Sequence, residues 1–421
     1  MRVLIINTSE RTGGAAVAAH RLMEALNNNG VQAKMLVRDK ESNKLTVVAL
    51  PSSWRLQWHF LWERFCIWLH LHLRREHLFD IDIANAGTDI TKLREFQEAN
   101  IIHLHWINQG MLSLKDIRKI LTSGKRVVWT MHDMWPATAI CHYARGCTHY
   151  QIQCRNCPLL PNGGGDNDLA SLVWNRKKRM LENHKVSFVA CSRWLENEAK
   201  HSALLAEHRM TNIPNAIDTR VFHPINQTDA RIHFGLPTDK LVILFVSHRV
   251  TDERKGMAYF IEAIEKLAMR HPTLYTNAVV AIMGGHAEDL AKQLALPVFP
   301  LGYVSQSQAI VMAYNAANVF VLPSLEDNLP NTLMEAMACG VPCVGFKVGG
   351  IPEMINHLET GYVAAYQDTS DLAKGIYWTL KEANTEEIRK ACLTKVTRNY
   401  SQQSVAQRYI EIYESPNTLK P

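Results

Sequence analysis

Short apolar runs alternate with longer helical stretches along the first half of the chain. The first run is followed by a stretch of helical periodicity, rich in Ala and Leu, over residues 15–26. Apolar runs bounded by helices in this way indicate parallel strands that are buried on both faces. The runs that we interpret as strands are residues 3–6, 34–37, 101–105, 126–130 and 187–190.

The same alternation restarts near residue 241. Between the two halves, residues 222–228 carry the polar and Pro residues that are typical of a linker. The chain has 421 residues, and a domain usually holds roughly 100–200 residues. We therefore predict two doubly wound α/β domains facing across a cleft, with ligands at the carboxyl ends of the strands. The second set of predicted strands is 241–246, 278–283, 319–322 and 342–346.

Composition and charge add little to the prediction of two α/β domains. Hydrophobic residues make up 47% and charged residues 20% of the chain, which is typical of a folded globular protein. The net charge of +6 permits anionic ligands, but no block of consecutive Lys and Arg predicts a nucleic-acid partner. The N terminus lacks a signal-peptide pattern, and no apolar stretch reaches the roughly 18 residues of a membrane span. We therefore expect a cytoplasmic protein.

The most informative segment follows the predicted strand 319–322. A polar loop leads into a helix that is predicted to begin at about Asn331, with Thr332 in its first turn. A helix N terminus at the carboxyl end of a strand is a natural diphosphate site. Glu335 lies one turn into the helix, within reach of a ribose diol, and Asp327 in the loop can accept hydrogen bonds from sugar hydroxyls. Thr332 and Glu335 also have the spacing of a capping box, so a purely structural role stays open.

This segment resembles the motif of glycosyltransferase family 4, in which a carboxylate residue and a Glu are separated by seven residues. The family continues with Ala-x-Ala-Cys-Gly-x-Pro-Val, much like residues 336–344. The chain departs from the family at Asp327, where Glu is usual, and at residues 328–330, where Gly-Phe-Gly is usual. The resemblance implies a GT-B fold and a retaining transfer from a nucleotide-sugar, with Glu335 on the ribose and Asp327 on the sugar. In the first domain it is closest to transferases of bacterial exopolysaccharide assembly, such as colanic acid enzymes.

Two further loops resemble this family. After strand 241–246, Arg249 and Lys255 match the cations that neutralise the donor diphosphate; the spacing is one residue longer than usual, so Arg254 can substitute. A solvated basic loop is the alternative. After strand 3–6, Gly13 and Gly14 match a glycine pair that closes over the donor from the opposite domain, with a plain strand-to-helix turn as the alternative. No GxGxxG is present there, so a dinucleotide-binding dehydrogenase is disfavoured.

Histidines follow or occupy two of the predicted strands. His132 comes just after strand 126–130. The resemblance implies that it faces the donor sugar and the acceptor, although a lone His is more often structural. His103 and His105 share one face of another strand, and we interpret them as core or cleft-lining residues.

A cluster of cysteines lies within residues 141–157. Cys141, Cys147, Cys154 and Cys157 suggest a structural zinc site in a cytoplasmic protein, with His142 and His149 as further candidate ligands. Reduced, unliganded thiols and two disulfides are the alternatives. Catalysis in the resembled family needs no metal, so we expect no cofactor requirement for the reaction itself.

Residues 54–75 are rich in Trp and Leu. At helical spacing, six large apolar side chains share one face, and polar residues that include Glu63 share the opposite face. Such a helix can lie in a membrane interface, which predicts peripheral contact with the inner face of the plasma membrane. Packing of this helix on the domain is the alternative. The apolar face comprises Trp54, Trp58, Leu61, Trp62, Phe65 and Leu69.

These observations combine into one expectation. An acceptor-side domain spans residues 1–224, a donor domain spans 225–398, and a helix and tail over 399–421 pack back on the first domain. The chain is expected to move a hexosyl group from a UDP- or GDP-sugar to a glycan or lipid-linked acceptor in surface polysaccharide synthesis. A sugar-nucleotide epimerase of the same fold and a non-catalytic sugar-nucleotide-binding protein are the alternatives.

Overall fold

The computed structural model describes residues 1–51, 54–249, 252–285, 287–304 and 306–415. The chain forms two compact units. The first is Met1–Ala216 together with the C-terminal segment that begins at Val405, and the second is Ile217–Ser404. Each unit contains one parallel sheet with helices between its strands, so the predicted pair of doubly wound α/β domains is confirmed.

The sheet of the first unit comprises β1 (Arg2–Ser9), β2 (Gln32–Asp39), β3 (Val47–Ala49), β4 (Ile101–Leu104), β5 (Arg126–Met131), β6 (Val186–Ala190) and β7 (Arg209–Asn212). All paired strands are parallel, in the order β3-β2-β1-β4-β5-β6-β7. The helices between them are α1 (Gly14–Asn28), α2 (Trp54–His70), α3 (Arg94–Glu98), α4 (Leu114–Leu121), α5 (Leu169–Leu181) and α6 (Arg193–Lys200).

The sheet of the second unit comprises β8 (Leu241–Arg249), β9 (Ala278–Gly285), β10 (Val298–Gly302), β11 (Val319–Leu322), β12 (Cys343–Phe346) and β13 (Gly361–Ala364). Its strands are also parallel, in the order β10-β9-β8-β11-β12-β13. The helices are α7 (Gln227–His233), α8 (Met257–Arg270), α9 (Leu274–Asn277), α10 (Ala287–Leu290), α11 (Ser307–Ala316), α12 (Asn331–Ala338), α13 (Ile351–Met354), α14 (Thr369–Tyr377) and α15 (Thr385–Asn399). The final helix, α16, spans Gln402–Glu414.

Alternate side chains of β1 enter two hydrophobic cores on opposite faces of the first sheet. Leu4 and Ile6 belong to the larger core, and Val3 and Ile5 belong to the core that α16 covers from Val405 to Tyr413. A strand that is covered on both faces needs apolar side chains in both directions, which explains the uninterrupted apolar run.

The carboxyl ends of β1, β4 and β5 lie side by side. Ile6 pairs with Leu104, and His103 pairs with Val128. The loop after β4 is held to β1, because the backbone N–H of Thr8 donates to the carbonyl of Trp106 at 2.8 Å. The segment that carries the predicted His132 therefore lies at the same edge of the sheet as the ends of β1 and β4.

Helix α2 packs on the first unit through the side that carries Glu63, Arg64 and Ile67. Glu63, Arg64 and Ile67 are buried, whereas the six large apolar residues of the opposite face are exposed. Helix α2 therefore packs on the domain, but through the face that carries Glu63 and not through the aromatic face. Among the described residues, no helix combines the length and the apolar character that crossing a membrane requires.

Candidate functional site

Two loops of the second unit meet at the carboxyl end of its sheet. They follow β8 and β11, which are neighbouring strands. The N–H of Leu325 donates to the carbonyl of Arg254 at 2.8 Å, and Arg254 Nη1 donates to the carbonyl of Glu326 at 3.0 Å. These contacts bring two predicted site residues together: Lys255 Nζ lies 2.5 Å from Asp327 Oδ2.

Asp327 is a buried carboxylate that two cations keep ionised. Burial by itself raises its pKa, but the charges of Lys255 and Arg254 hold the pKa of Asp327 below its usual range. The hydroxyl of Ser324 donates to the same carboxylate oxygen at 3.3 Å. The loop therefore holds an ion pair, not a neutral acid, at the carboxyl end of β11.

Two glycines permit this close approach of loops. Gly256 has a φ of +74°, and a Cβ there would lie 1.8 Å from the carbonyl oxygen of Pro323. Gly349 has a φ of +54°, and its Cβ would lie 1.8 Å from the carbonyl oxygen of Asp327, which also accepts the N–H of Gly350 at 3.1 Å. A side chain at either position would push the loops apart, so the glycines fix the position of Asp327.

Helix α12 begins at Asn331, as predicted, with Thr332 in its first turn. The capping-box alternative is wrong, because Pro330 occupies the N-cap and no side chain caps the helix. Glu335 is buried, and its Oε2 accepts a hydrogen bond from the Tyr314 hydroxyl at 2.9 Å. The Glu335 carboxylate is thus held in a fixed position one turn beyond a helix N terminus, where an anionic group is favoured.

The remaining predicted donor-binding residues follow the first strand of each unit. Gly13 is the N-cap of α1 with a φ of +94°, a conformation that residues with a side chain rarely adopt, and Gly14 begins the helix. Arg249 is the last residue of β8, and its side chain lies outside the described residues. The roles of these three residues toward a donor stay predictions.

His132 lies at the carboxyl end of β5 as a neutral, hydrogen-bonded imidazole. Its Nε2 is 2.9 Å from Nδ1 of His105, and its Nδ1 is 3.6 Å from Sγ of Cys191. Burial lowers the pKa of His132 to about 4. At neutral pH the side chain can therefore donate or accept a hydrogen bond but does not carry a positive charge.

His103 is a core residue. It is fully buried, with Nδ1 2.7 Å from the Tyr413 hydroxyl and Nε2 2.7 Å from the Thr130 hydroxyl. Its ring lies 4.3 Å from the ring of His105. The core interpretation of these two strand histidines is therefore the one that the structure supports, and His105 links the core to His132.

Sequence reasoning missed a charged network that begins next to His132. His142 lies between two carboxylates, with Nδ1 2.7 Å from Asp133 Oδ2 and Nε2 2.6 Å from Asp82 Oδ2. The indole N–H of Trp106 donates to the same Asp133 oxygen at 3.0 Å, and its ring stacks on His142. Burial alone disfavours a charged imidazole, but the two carboxylates raise the pKa of His142 to about 10.

This network also removes one candidate zinc ligand. Both ring nitrogens of His142 are taken by carboxylates, so the side chain is not available to a metal. The only sequence signal for the network was Asp133, which follows His132 at the strand end. Asp82 lies 60 positions before His142, and no periodic pattern links residues at that separation.

The four clustered cysteines line one small pocket with a volume of about 20 Å³, together with His149. All four are free thiols, so the alternative of two disulfides is wrong. Among the described residues, no group of three or more His, Cys, Asp or Glu side chains is arranged to hold a metal ion. Zinc binding by Cys141, Cys147, Cys154 and Cys157 stays a prediction that metal analysis can test.

Two protein-family models match the chain. The model described as Glycosyltransferase Family 4 matches residues 12–221, and the model described as Glycosyl transferases group 1 matches residues 240–382. The second match contains Lys255, Asp327 and Glu335, and the first contains His132 and the glycine pair.

The chain is also similar to individual proteins and to solved structures. The chain is 24% identical to an uncharacterized glycosyltransferase of Methanocaldococcus jannaschii, covering 80% of this chain and 89% of the relative. It is also 24% identical to N-acetyl-alpha-D-glucosaminyl L-malate synthase of Bacillus anthracis, covering 54% of this chain and 58% of that relative. The structure of Anabaena HepE in complex with UDP-glucose matches with a TM-score of 0.65 at 15% identity, over 99% of this chain and all of that one (100%). At this identity the solved structure supports the two-domain GT-B fold alone.

Proposed function

The chain is a glycosyltransferase of the family 4 type, and on this premise we propose that it transfers a hexosyl group with retention of anomeric configuration. The proposed donor is a UDP- or GDP-sugar, and the proposed acceptor is a glycan or a lipid-linked sugar in bacterial surface polysaccharide synthesis. The observation that carries the proposal is the ion pair between the partly exposed Lys255 and the buried Asp327, near the start of the helix that holds Glu335.

The ion pair suggests how a donor is recognised. A diphosphate that reaches Lys255 and Arg254 supplies a new partner for both cations, and Asp327 then becomes available to accept hydrogen bonds from sugar hydroxyls. In the ligand-free protein the lowered pKa of Asp327 keeps it ionised and therefore an acceptor. Glu335, oriented by Tyr314, binds the ribose diol. The free ion pair therefore acts as a resting state in which each charge is already satisfied.

The same cations serve the chemical step. As the bond between the sugar and the diphosphate breaks, negative charge grows on the departing diphosphate, and fixed cations stabilise that charge. We propose a front-side displacement in which the acceptor oxygen bonds to the anomeric carbon on the face that the diphosphate leaves. The departing diphosphate takes the proton of the acceptor hydroxyl, which gives retention without a covalent enzyme intermediate.

A donor panel tests the proposal directly. Thermal shift and released nucleotide are measured with UDP- and GDP-sugars, for the wild-type protein, for Glu335→Ala and for the control Glu265→Gln on the exposed side of α8. We expect one donor to stabilise the wild type and the control, and Glu335→Ala to bind it about 10–100-fold more weakly because hydrogen bonds to a carboxylate are lost. Unchanged affinity in Glu335→Ala contradicts the ribose role, and epimerised donor in the absence of acceptor replaces the transferase proposal with an epimerase.

We also propose that the enzyme works in the cytoplasm, peripherally on the inner face of the plasma membrane, through residues 54–75. A lipid-linked acceptor is held at such a surface, so an enzyme that docks there meets its acceptor at high local concentration. The exposed aromatic face of α2 supports this contact.

A further inference from the structure

Helix α2 is oriented with its apolar face toward solvent and its charged face toward the protein. The exposed fractions of its six large apolar residues run from 42% to 72%. The rings of Trp58 and Trp62 stack at 6.1 Å, and Trp62 and Phe65 lie 6.0 Å apart. This face is a continuous aromatic surface, and exposed apolar patches of this kind mark interaction sites.

The inner face of α2 fixes this orientation. Glu63 accepts the backbone N–H groups of Ile83 and Ala84 at 2.9 and 2.6 Å. Arg64 donates to the carbonyl of Leu78 at 2.7 Å and forms a buried ion pair with Asp82. Turning the aromatic face inward would move Glu63 and Arg64 into solvent and remove the partners that they provide to the backbone N–H groups of Ile83 and Ala84 and to Asp82. The outward aromatic face is therefore a property of the folded domain.

A cationic pocket of about 380 Å³ adjoins this helix. Lys115 and Arg118 of α4 and Arg176 and Arg179 of α5 line it, and no acidic side chain does. Within the described part of the chain, none of these four cations lies within ion-pairing distance of a carboxylate. A pocket with four cations and no counter-charge is suited to an anionic group such as a phosphate.

The pocket and the helix contact the same chain segment. Ala84, whose N–H donates to Glu63 of α2, also lines the pocket. The neighbouring Asn85 lines it as well, and its Oδ1 is buried without a hydrogen-bond partner. The cationic pocket and helix α2 therefore both contact residues 83–84 of the first unit.

We propose that this surface docks on a membrane rich in anionic phospholipid, with a lipid phosphate headgroup in the cationic pocket and the aromatic face of α2 in the interface. The proposal deepens the membrane contact of the proposed function by naming its ligand and a second contact site. Trp at the level of the headgroups and Lys and Arg near lipid phosphates are the two features that interfacial binding requires. A second copy of the chain fits less well, because a twofold contact through this surface would bring the cations against their own copies.

Vesicle sedimentation of the full-length enzyme tests the proposal. Vesicles of phosphatidylcholine alone are compared with vesicles that also contain phosphatidylglycerol. The variants are the aromatic pair Trp58→Gln with Trp62→Gln, the pocket pair Arg118→Gln with Arg176→Gln, and a control pair, Lys185→Gln with Lys390→Gln, which removes the same charge from exposed positions elsewhere. All of the replaced side chains are exposed. We therefore expect thermal melting to show that every variant is folded.

We expect the wild type to bind the anionic vesicles and the aromatic pair to bind at least about tenfold more weakly. The pocket pair should bind about 30-fold more weakly, because each cation near an anionic surface contributes roughly a fivefold gain. The control pair should stay within about threefold of the wild type, because neither side chain lines the pocket and exposed charges are screened by salt.

Three results would overturn the inference. They are wild-type binding that does not depend on phosphatidylglycerol, aromatic variants that bind like the wild type, and pocket and control pairs that weaken binding equally. A dimer in solution that the aromatic pair abolishes would replace the membrane by a second copy. Donor binding is measured in the same preparations without vesicles, so a failure of the transferase proposal is seen separately.

Discussion

Replacement of His142 by Asn tests the buried charge network next to His132. The variant removes the imidazolium that lies between Asp82 and Asp133 and leaves both carboxylates in place. Asp82 keeps its pair with Arg64, whereas Asp133 keeps only uncharged donors, the indole of Trp106 and the N–H of Trp135. A buried carboxylate without its cation is the expected source of instability.

The pKa of His142 sets the size of the effect. A histidine with an ordinary pKa of about 6.5 in the unfolded chain and about 10 in the folded chain contributes at most about 5 kcal/mol to folding. Loss of one partner of a buried pair typically costs about 3–5 kcal/mol. Because the folded pKa is the higher one, the contribution is fully present below about pH 6.5 and falls by roughly 1.4 kcal/mol per pH unit as the pH rises toward 10.

Denaturant unfolding at pH 7 and pH 9, followed by Trp fluorescence, measures this dependence. Nine of the ten tryptophans lie in the first unit and only Trp378 lies in the second, so the signal reports the unit that contains His142. We expect His142→Asn to lose about 3–5 kcal/mol at pH 7 and about 2–3 kcal/mol less than that at pH 9. The control His201→Asn changes an exposed histidine of the same unit, whose Nδ1 lies 2.7 Å from the backbone carbonyl of Asn197. Parallel pH profiles for the wild type and His142→Asn would refute the charged state of His142.

Two further predictions concern the donor site and metal dependence. Asp327→Asn should keep nucleotide affinity within about threefold of the wild type and slow transfer by about 100-fold or more. The reason is that the amide does not replace the charged acceptor for sugar hydroxyls. Equal losses in nucleotide binding and transfer would instead indicate a collapsed loop. Dialysis against a chelator should leave the transfer rate unchanged, because Lys255 and Arg254 supply the positive charge at the diphosphate. A transfer rate that is lost on dialysis and restored only by an added divalent cation would contradict this role of the two cations. Metal content of the same preparations tests the cysteines separately: about one zinc per chain supports the zinc prediction, and none contradicts it.

The nine predicted strands are all present, and the four that the sequence analysis missed are the two edge strands of each sheet. β3 and β10 form one edge of their sheets, and β7 and β13 form the other. Central strands are covered on both faces and paired on both sides, which demands an apolar run. An edge strand lacks one neighbour and tolerates polar residues, as in Arg-Met-Thr-Asn of β7, or a proline, as at Pro300 of β10. The periodic signal is therefore weakest where pairing is least complete.

The sequence predicted the local placement of site residues that are close along the chain, but not the contacts that tertiary structure makes between distant residues. Asp327 and Glu335 lie in one loop and helix, so their spacing carries information. The pairing of Lys255 with Asp327 depends instead on two adjacent strands, and the network of Asp82, Asp133 and His142 depends on loops that no local pattern connects. Hydrogen bonds of this kind are decided by the fold, because each side chain finds its partner only after the sheet has formed.

Helix α2 shows a third limit of sequence reasoning. Helical periodicity identified its two faces but not which of them the domain covers. Usually the apolar face turns inward, because burial of a large apolar side chain gains about 1.5–3 kcal/mol. Here Glu63 and Arg64 bind buried partners on the side of α2 that faces the domain, and the aromatic face forgoes that gain in the isolated chain. Trp58 and Trp62 stay exposed in the folded domain, and the proposed membrane is the partner whose surface would recover the lost burial.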